Sequence, residues 1–169
     1  MAWLIQQPGI ELTADVIATA AERGDRAMCE LLHANQCPWD EECCFSAAHA
    51  GITEHGNLDM LRWFRQHGCP WDSGLIATDA AYNDSVELLE YLQHEGVVFS
   101  ANKLQQLLSV AGAFNSLTTA KWLRQQGAAW PAVLQAYGGY FEDDEWSGNV
   151  LTWARSEGCD SPLEHQYYE

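Results

Sequence analysis

Gly68-Cys-Pro-Trp-Asp72 follows one apolar helical stretch and leads into the next, and variants of the phrase return along the chain. They are Asn35-Gln-Cys-Pro-Trp39, Gly96-Val-Val-Phe99, Gly127-Ala-Ala-Trp130 and Gly158-Cys-Asp-Ser161. The aromatic anchors Trp39, Trp71, Phe99 and Trp130 step by 32, 28 and 31 residues, a period that belongs to stacked repeats rather than to a single globular core.

Upstream of each phrase lies a helical stretch with matched columns: Met28–His33, Met60–Arg65, Leu88–Gln93, Thr119–Arg124 and Val150–Arg155. Leu31, Trp63, Tyr91, Trp122 and Trp153 form one apolar ladder, and Leu32, Phe64, Leu92, Leu123 and Ala154 the next. An amphipathic helix of this kind buries its face only against a neighbour. A first helix precedes each, marked by small pairs that permit close approach: Ala20-Ala21, Ala47-Ala48, Ala80-Ala81, Ala111-Gly112 and Gly138-Gly139. The predicted units run over about 9–36, 37–68, 69–96, 97–127 and 128–158 in one domain spanning 1–169, with caps at 1–8 and 159–169. Surplus residues fall around 52–57 and 141–146, and in the unit starting at Val97 their place is ambiguous. Thr13, Asp40, Ser73 and Ser100 serve as expected N-caps, and Pro131 suits a first helical turn. Gly68, Gly96, Gly127 and Gly158 are placed to close second helices in the left-handed conformation. No strand is expected. Trp39, Trp71 and Trp130 read as seals between units rather than as a ligand cage. Trp3 and Leu4 are expected to cap the first unit, and Tyr167 and Tyr168 to fold back as a cap or lead into further chain.

The run from Ala80 to Gly96, like that from Ala20 to His33, resembles the second half of an ankyrin repeat, and Gly68-Cys-Pro-Trp-Asp72 is similar to the divergent repeats of protists, algae and large DNA viruses. The resemblance covers residues 9–160 and departs from the standard unit in lacking the Thr-Pro-Leu-His signature and several hairpin residues. It implies an all-α solenoid of right-packed helix pairs with short linkers, little or no β-hairpin, and a protein–protein interaction role. Other two-helix repeats stay open; the tetratricopeptide spacing fits less well.

Composition narrows the function further. A formal net charge of −16, from 24 acidic and 8 basic residues, disfavours direct contact with nucleic acid or anionic membranes and steers basic proteins inward. Neither a signal peptide nor a membrane span is expected, so the chain reads as intracellular, cytoplasmic or nuclear, and monomeric when free. The six cysteines read as buried free thiols; Cys43-Cys44 with His49 and His55 lacks the paired spacing of a metal site. No nucleophile elbow, phosphate loop or zinc-protease motif is present, and the expectation is a non-enzyme with no cofactor.

His33, Arg65, Arg124 and Arg155 share one column of the second helices, with Arg62 and Lys121 three positions earlier in theirs, so the positive charge gathers there. On an ankyrin-like architecture that is the convex side. The expected partner-binding residues lie on first helices and turns: Asp40, Glu41, Glu42, Asp79, Asp84, Phe141, Glu142, Asp143, Asp144, Glu145 and Trp146. Phe141 and Trp146 either anchor an interface or cover the edge of the core. The favoured reading is a module for a basic protein partner; the alternatives are an acidic nucleic-acid mimic and a structural subunit of an assembly.

Overall fold

The computed structural model describes residues 11–52, 58–138 and 148–167, with 50–52, 134–138, 148 and 163–167 described by backbone alone. Trp3, Leu4, His55, Gly139, Phe141–Trp146 and Tyr168 lie outside these residues. The described chain is all-α in class, with nine helices: α1 (Ala14–Glu22), α2 (Arg26–Ala34), α3 (Glu41–Ile52), α4 (Leu58–Gln66), α5 (Ser73–Tyr82), α6 (Val86–His94), α7 (Ala101–Ala113), α8 (Leu117–Gln125) and α9 (Gly148–Ser156). It divides into two compact units, Met1–Ile76 and Ala77–Glu169, with the boundary inside α5.

Each column of second-helix residues falls inside one helix: α2, α4, α6, α8 and α9, every one of 9 residues. In the inner ladder Leu32, Phe64, Leu92, Leu123 and Ala154 are all buried, while Leu31 and Trp153 at the ends of the other ladder are only half-buried. The small pairs are buried as close packing requires, from Ala20-Ala21 to Ala80-Ala81. In the unit starting at Val97 the extra length goes into the first helix: α7 has 13 residues, against 10 for α5.

All five second helices end in the same turn. The amides of Cys37, Cys69, Val97, Ala128 and Cys159 donate to the carbonyls of Leu32, Phe64, Leu92, Leu123 and Ala154 at 2.9–3.0 Å, and the residue before each amide is left-handed. Glycine fills that place at 68, 96, 127 and 158 with φ of 81–91°, whereas the first unit uses Gln36 at φ 60°. A Cβ added at Gly127 would meet nothing within 4 Å, so its cost is conformational alone. Left-handed backbone costs a residue with a Cβ about 1–2 kcal/mol. The two positions should therefore respond with opposite sign: Gly127→Ala lowers stability by about 1 kcal/mol, and Gln36→Gly raises it by up to about 1 kcal/mol, read from urea midpoints.

A second left-handed place, not expected from the sequence, lies between paired helices at Gly24, Asp84 and Asn115. There the amides of Asp25, Ser85 and Ser116 donate to Ala20, Ala80 and Ala111, the first member of each small pair.

Four expectations are corrected, the absence of strands among them. Asp72 rather than Ser73 caps α5, its carboxylate accepting from the amides of Gly74 and Leu75 at 2.8 and 2.9 Å. Pro131 opens no helix, and Gly138 does not sit in one: residues Leu134–Gly138 form a strand, β1, which pairs in parallel with β2 (Leu163–Tyr167), so Tyr167 ends a strand. Leu134 lies opposite Leu163 and Gly138 opposite Tyr167, with α9 as the crossover that a parallel pair needs. Two adjacent glycines and a tyrosine in 137–139 weaken the helical option in this segment.

The six cysteines are free and buried, five of them in the unit Met1–Ile76. The Cys37 thiol donates to the Thr13 carbonyl at 3.3 Å and the Cys69 thiol to that of Asp40 at 3.2 Å, each tying a linker to the residue before an earlier first helix. This is the physical use of cysteine in the recurring phrase.

Candidate interaction surface

The arginines of the shared column are committed to the joints, while Arg62 and Lys121 of the same helices are exposed and Arg62 pairs with Asp59 at 2.8 Å. Arg65, Arg124 and Arg155 each donate through Nη1 to the carbonyl four residues on, at Cys69 (2.6 Å), Ala128 and Cys159 (2.5 Å). The Arg65 and Arg124 guanidinium groups also lie 4.3 and 4.2 Å from the ring centres of Trp71 and Trp130. An arginine used this way closes the helix end, favours the negative end of the helix dipole and holds a linker tryptophan in place. Trp130 in turn meets Trp153 of the following second helix at 5.5 Å, and Trp39 meets Trp63 and Phe64 at 6.1 and 5.8 Å. Both tryptophans thus pack between successive second helices.

The expected carboxylates divide into two groups. Asp40 is an N-cap: its Oδ1 accepts from the Glu42 amide at 3.1 Å, and its carbonyl takes the Cys69 thiol. Asp79 accepts from the Asn83 side chain at 3.1 Å. Asp84 reaches the next second helix, accepting from the amides of Thr118 and Thr119 at 3.4 and 2.7 Å, where the N-cap Ser116 makes no side-chain cap bond. Asn115 repeats the arrangement 31 residues later, accepting from the Val150 amide at 3.2 Å. Asp84 is therefore an inter-repeat cap. Asp84→Ala should lower stability by about 1–2 kcal/mol, and Asp84→Asn by much less, since Asn115 does the same work; chemical denaturation of the two variants reads the difference.

Of the expected carboxylates among the described residues, Glu41 and Glu42 are the two whose side chains are exposed and make no hydrogen bond or ion pair there. They occupy the first turn of α3, where the helix dipole favours them. Along the same helix, Glu41, Phe45 and His49 follow at spacings of four, and the rings of Phe45 and His49 stack at 6.1 Å. Helix α3 packs on α1, whose Asp15, Thr19 and Glu22 are exposed. Phe45 and His49 were not among the expected residues, although their spacing from Glu41 placed them on one stripe. The turn Glu142–Glu145 with its flanking Phe141 and Trp146 lies outside the described residues.

Among the described residues no group of three or more His, Cys, Asp and Glu is placed to hold a metal, and no helix is long and apolar enough to cross a membrane. Set against protein families, curated proteins and solved structures, the chain matches none of them.

Proposed function

We propose that this chain is an ankyrin-like helix-pair repeat protein that binds a basic protein partner through first helices and inter-helix turns, with no catalytic role. The observation that carries this reading is the division of charge. Three arginines in equivalent places are held by backbone carbonyls, two of them also by tryptophans, while Glu41 and Glu42 face solvent beside the half-buried Phe45. Repeat proteins hold their stacking residues and offer the remaining faces to partners. With 24 acidic against 8 basic residues, the field around the chain draws cationic surfaces toward it.

The test is capture from cell lysate on the immobilised chain, washed in parallel at about 0.15 M and about 0.5 M salt, where screening lengths differ roughly twofold. A defined basic protein retained at both salts is the expected result. A mixed set of nucleic-acid-binding proteins, lost at high salt and displaced by free DNA, would favour acidic mimicry instead. No retained protein at either salt would overturn the interaction reading.

A further inference from the structure

The first unit breaks the arginine pattern at His33. Arg65 and Arg124 both stack on a tryptophan and donate to the carbonyl four residues on, whereas His33 keeps only the stacking contact, with its ring 4.1 Å from that of Trp39 and tilted by 12°. Among the described residues no hydrogen bond engages its ring nitrogens. The neighbouring joint presents a second imidazole, His67, with its ring centre 5.5 Å from that of His33. His67 Nδ1–H donates to the Trp63 carbonyl at 2.8 Å, which fixes its tautomer and leaves Nε2 with a lone pair.

From this pair we infer a two-histidine site for a divalent transition cation, Zn²⁺ or Ni²⁺ by the preference of imidazole donors. The ring separation suits it: two imidazoles on one tetrahedral cation, with metal–nitrogen bonds of about 2.0–2.1 Å, have ring centres roughly 5 Å apart. The hydrogen bond from His67 to a backbone carbonyl is the outer-shell contact that orients a ligating histidine. Trp39 and Trp63 flank the pair, with the His67 ring 4.6 Å from that of Trp63. His67 is exposed and His33 half-buried, so solvent completes the coordination. The bound cation links α2 to the end of α4, and it is a site separate from the acidic face of α3.

The test is a Zn²⁺ titration of the full chain by calorimetry under reducing conditions, with Mg²⁺ as the hard-cation control. The expected result is one Zn²⁺ per chain, at least tenfold weaker in His33→Gln and in His67→Gln, unchanged in His94→Gln, and not displaced by Mg²⁺. Because either variant could perturb the aromatic cluster, Ni²⁺ added to the wild-type chain gives a second reading: the imidazole signals of His33 and His67 broaden before that of His94. Binding that survives both substitutions, yields to Mg²⁺, or broadens His94 first would overturn the proposal.

Discussion

Phe64→Ala is expected to be the most damaging single truncation, lowering stability by about 3–5 kcal/mol. Phe64 is fully buried, its ring meets those of Trp63 at 5.1 Å and Trp39 at 5.8 Å, and its carbonyl accepts the amide that closes α4. Removing the ring leaves a cavity beside two tryptophans that are held by other contacts, Trp39 by the stacked His33 and Trp63 by its place on α4. The surroundings therefore cannot collapse to fill it, and the cost lies toward the upper part of the range for such changes. Phe64→Leu, which keeps most of the volume, should cost far less. Equilibrium unfolding in urea distinguishes the two; equal effects would show that the aromatic contacts, rather than the filled volume, set the stability of this joint.

The second large effect is alkaline lability. Burial, with smaller contributions from the carboxylate of Asp25 and the neighbouring Cys43, pushes the Cys29 thiol up to about 12. The Cys69 thiol is drawn down by its hydrogen bond with Cys43, but the contact with Cys44 and burial outweigh this and bring it to about 12. The Cys43 thiol is raised, first by its hydrogen bond with Cys69 and then by burial. In the unfolded chain these thiols ionise near their ordinary value of about 8.5. Above that pH the unfolded state binds fewer protons than the folded one, so stability present at neutral pH falls as pH rises toward about 12. Each thiol contributes a slope of up to about 1.4 kcal/mol per pH unit. The three shifts act in the same direction, so the loss of stability steepens as pH rises above the ordinary thiol range. Urea midpoints at pH 7, 9 and 10.5 under reducing conditions should fall steeply between the last two. A flat profile would mean that the thiols ionise in the folded protein as they do in the unfolded chain.

The second helices were legible because three signals coincided in them: the two apolar ladders, the closing glycine and the 28–32-residue step between aromatic anchors. The left-handed turn between paired helices was harder to see, since it is filled by Gly24, Asp84 and Asn115, three different residues whose shared property is tolerance of positive φ. Asp84 looked like a surface acid because the amides it accepts from, those of Thr118 and Thr119, lie more than thirty residues on. Charge alone marks the arginine column in the sequence, and charge does not show that a guanidinium meets the carbonyl four residues along. In the strand segment, Pro131 promised a helix start that Tyr137 and Gly138 did not sustain. For the surface, the acids of α3 are visible in the sequence, but Phe45 and His49 are obscured because their stripe with Glu41 crosses a run of buried cysteine and alanine.

The division between joint and surface is tested most directly by comparing partner capture by three forms of the chain: the wild type, Glu41→Gln/Glu42→Gln, and Arg62→Gln/Lys121→Gln. The first pair removes exposed acids of α3 and the second removes exposed cations of α4 and α8. Neither touches a buried contact; the first gives up a favourable helix-dipole interaction and the second the exposed Arg62–Asp59 ion pair, so both should stay folded with melting only slightly below the wild type. The acid-depleted chain should lose its captured protein and the cation-depleted chain keep it; retention by the first and loss by the second would show that the partner does not bind the acidic face of α3.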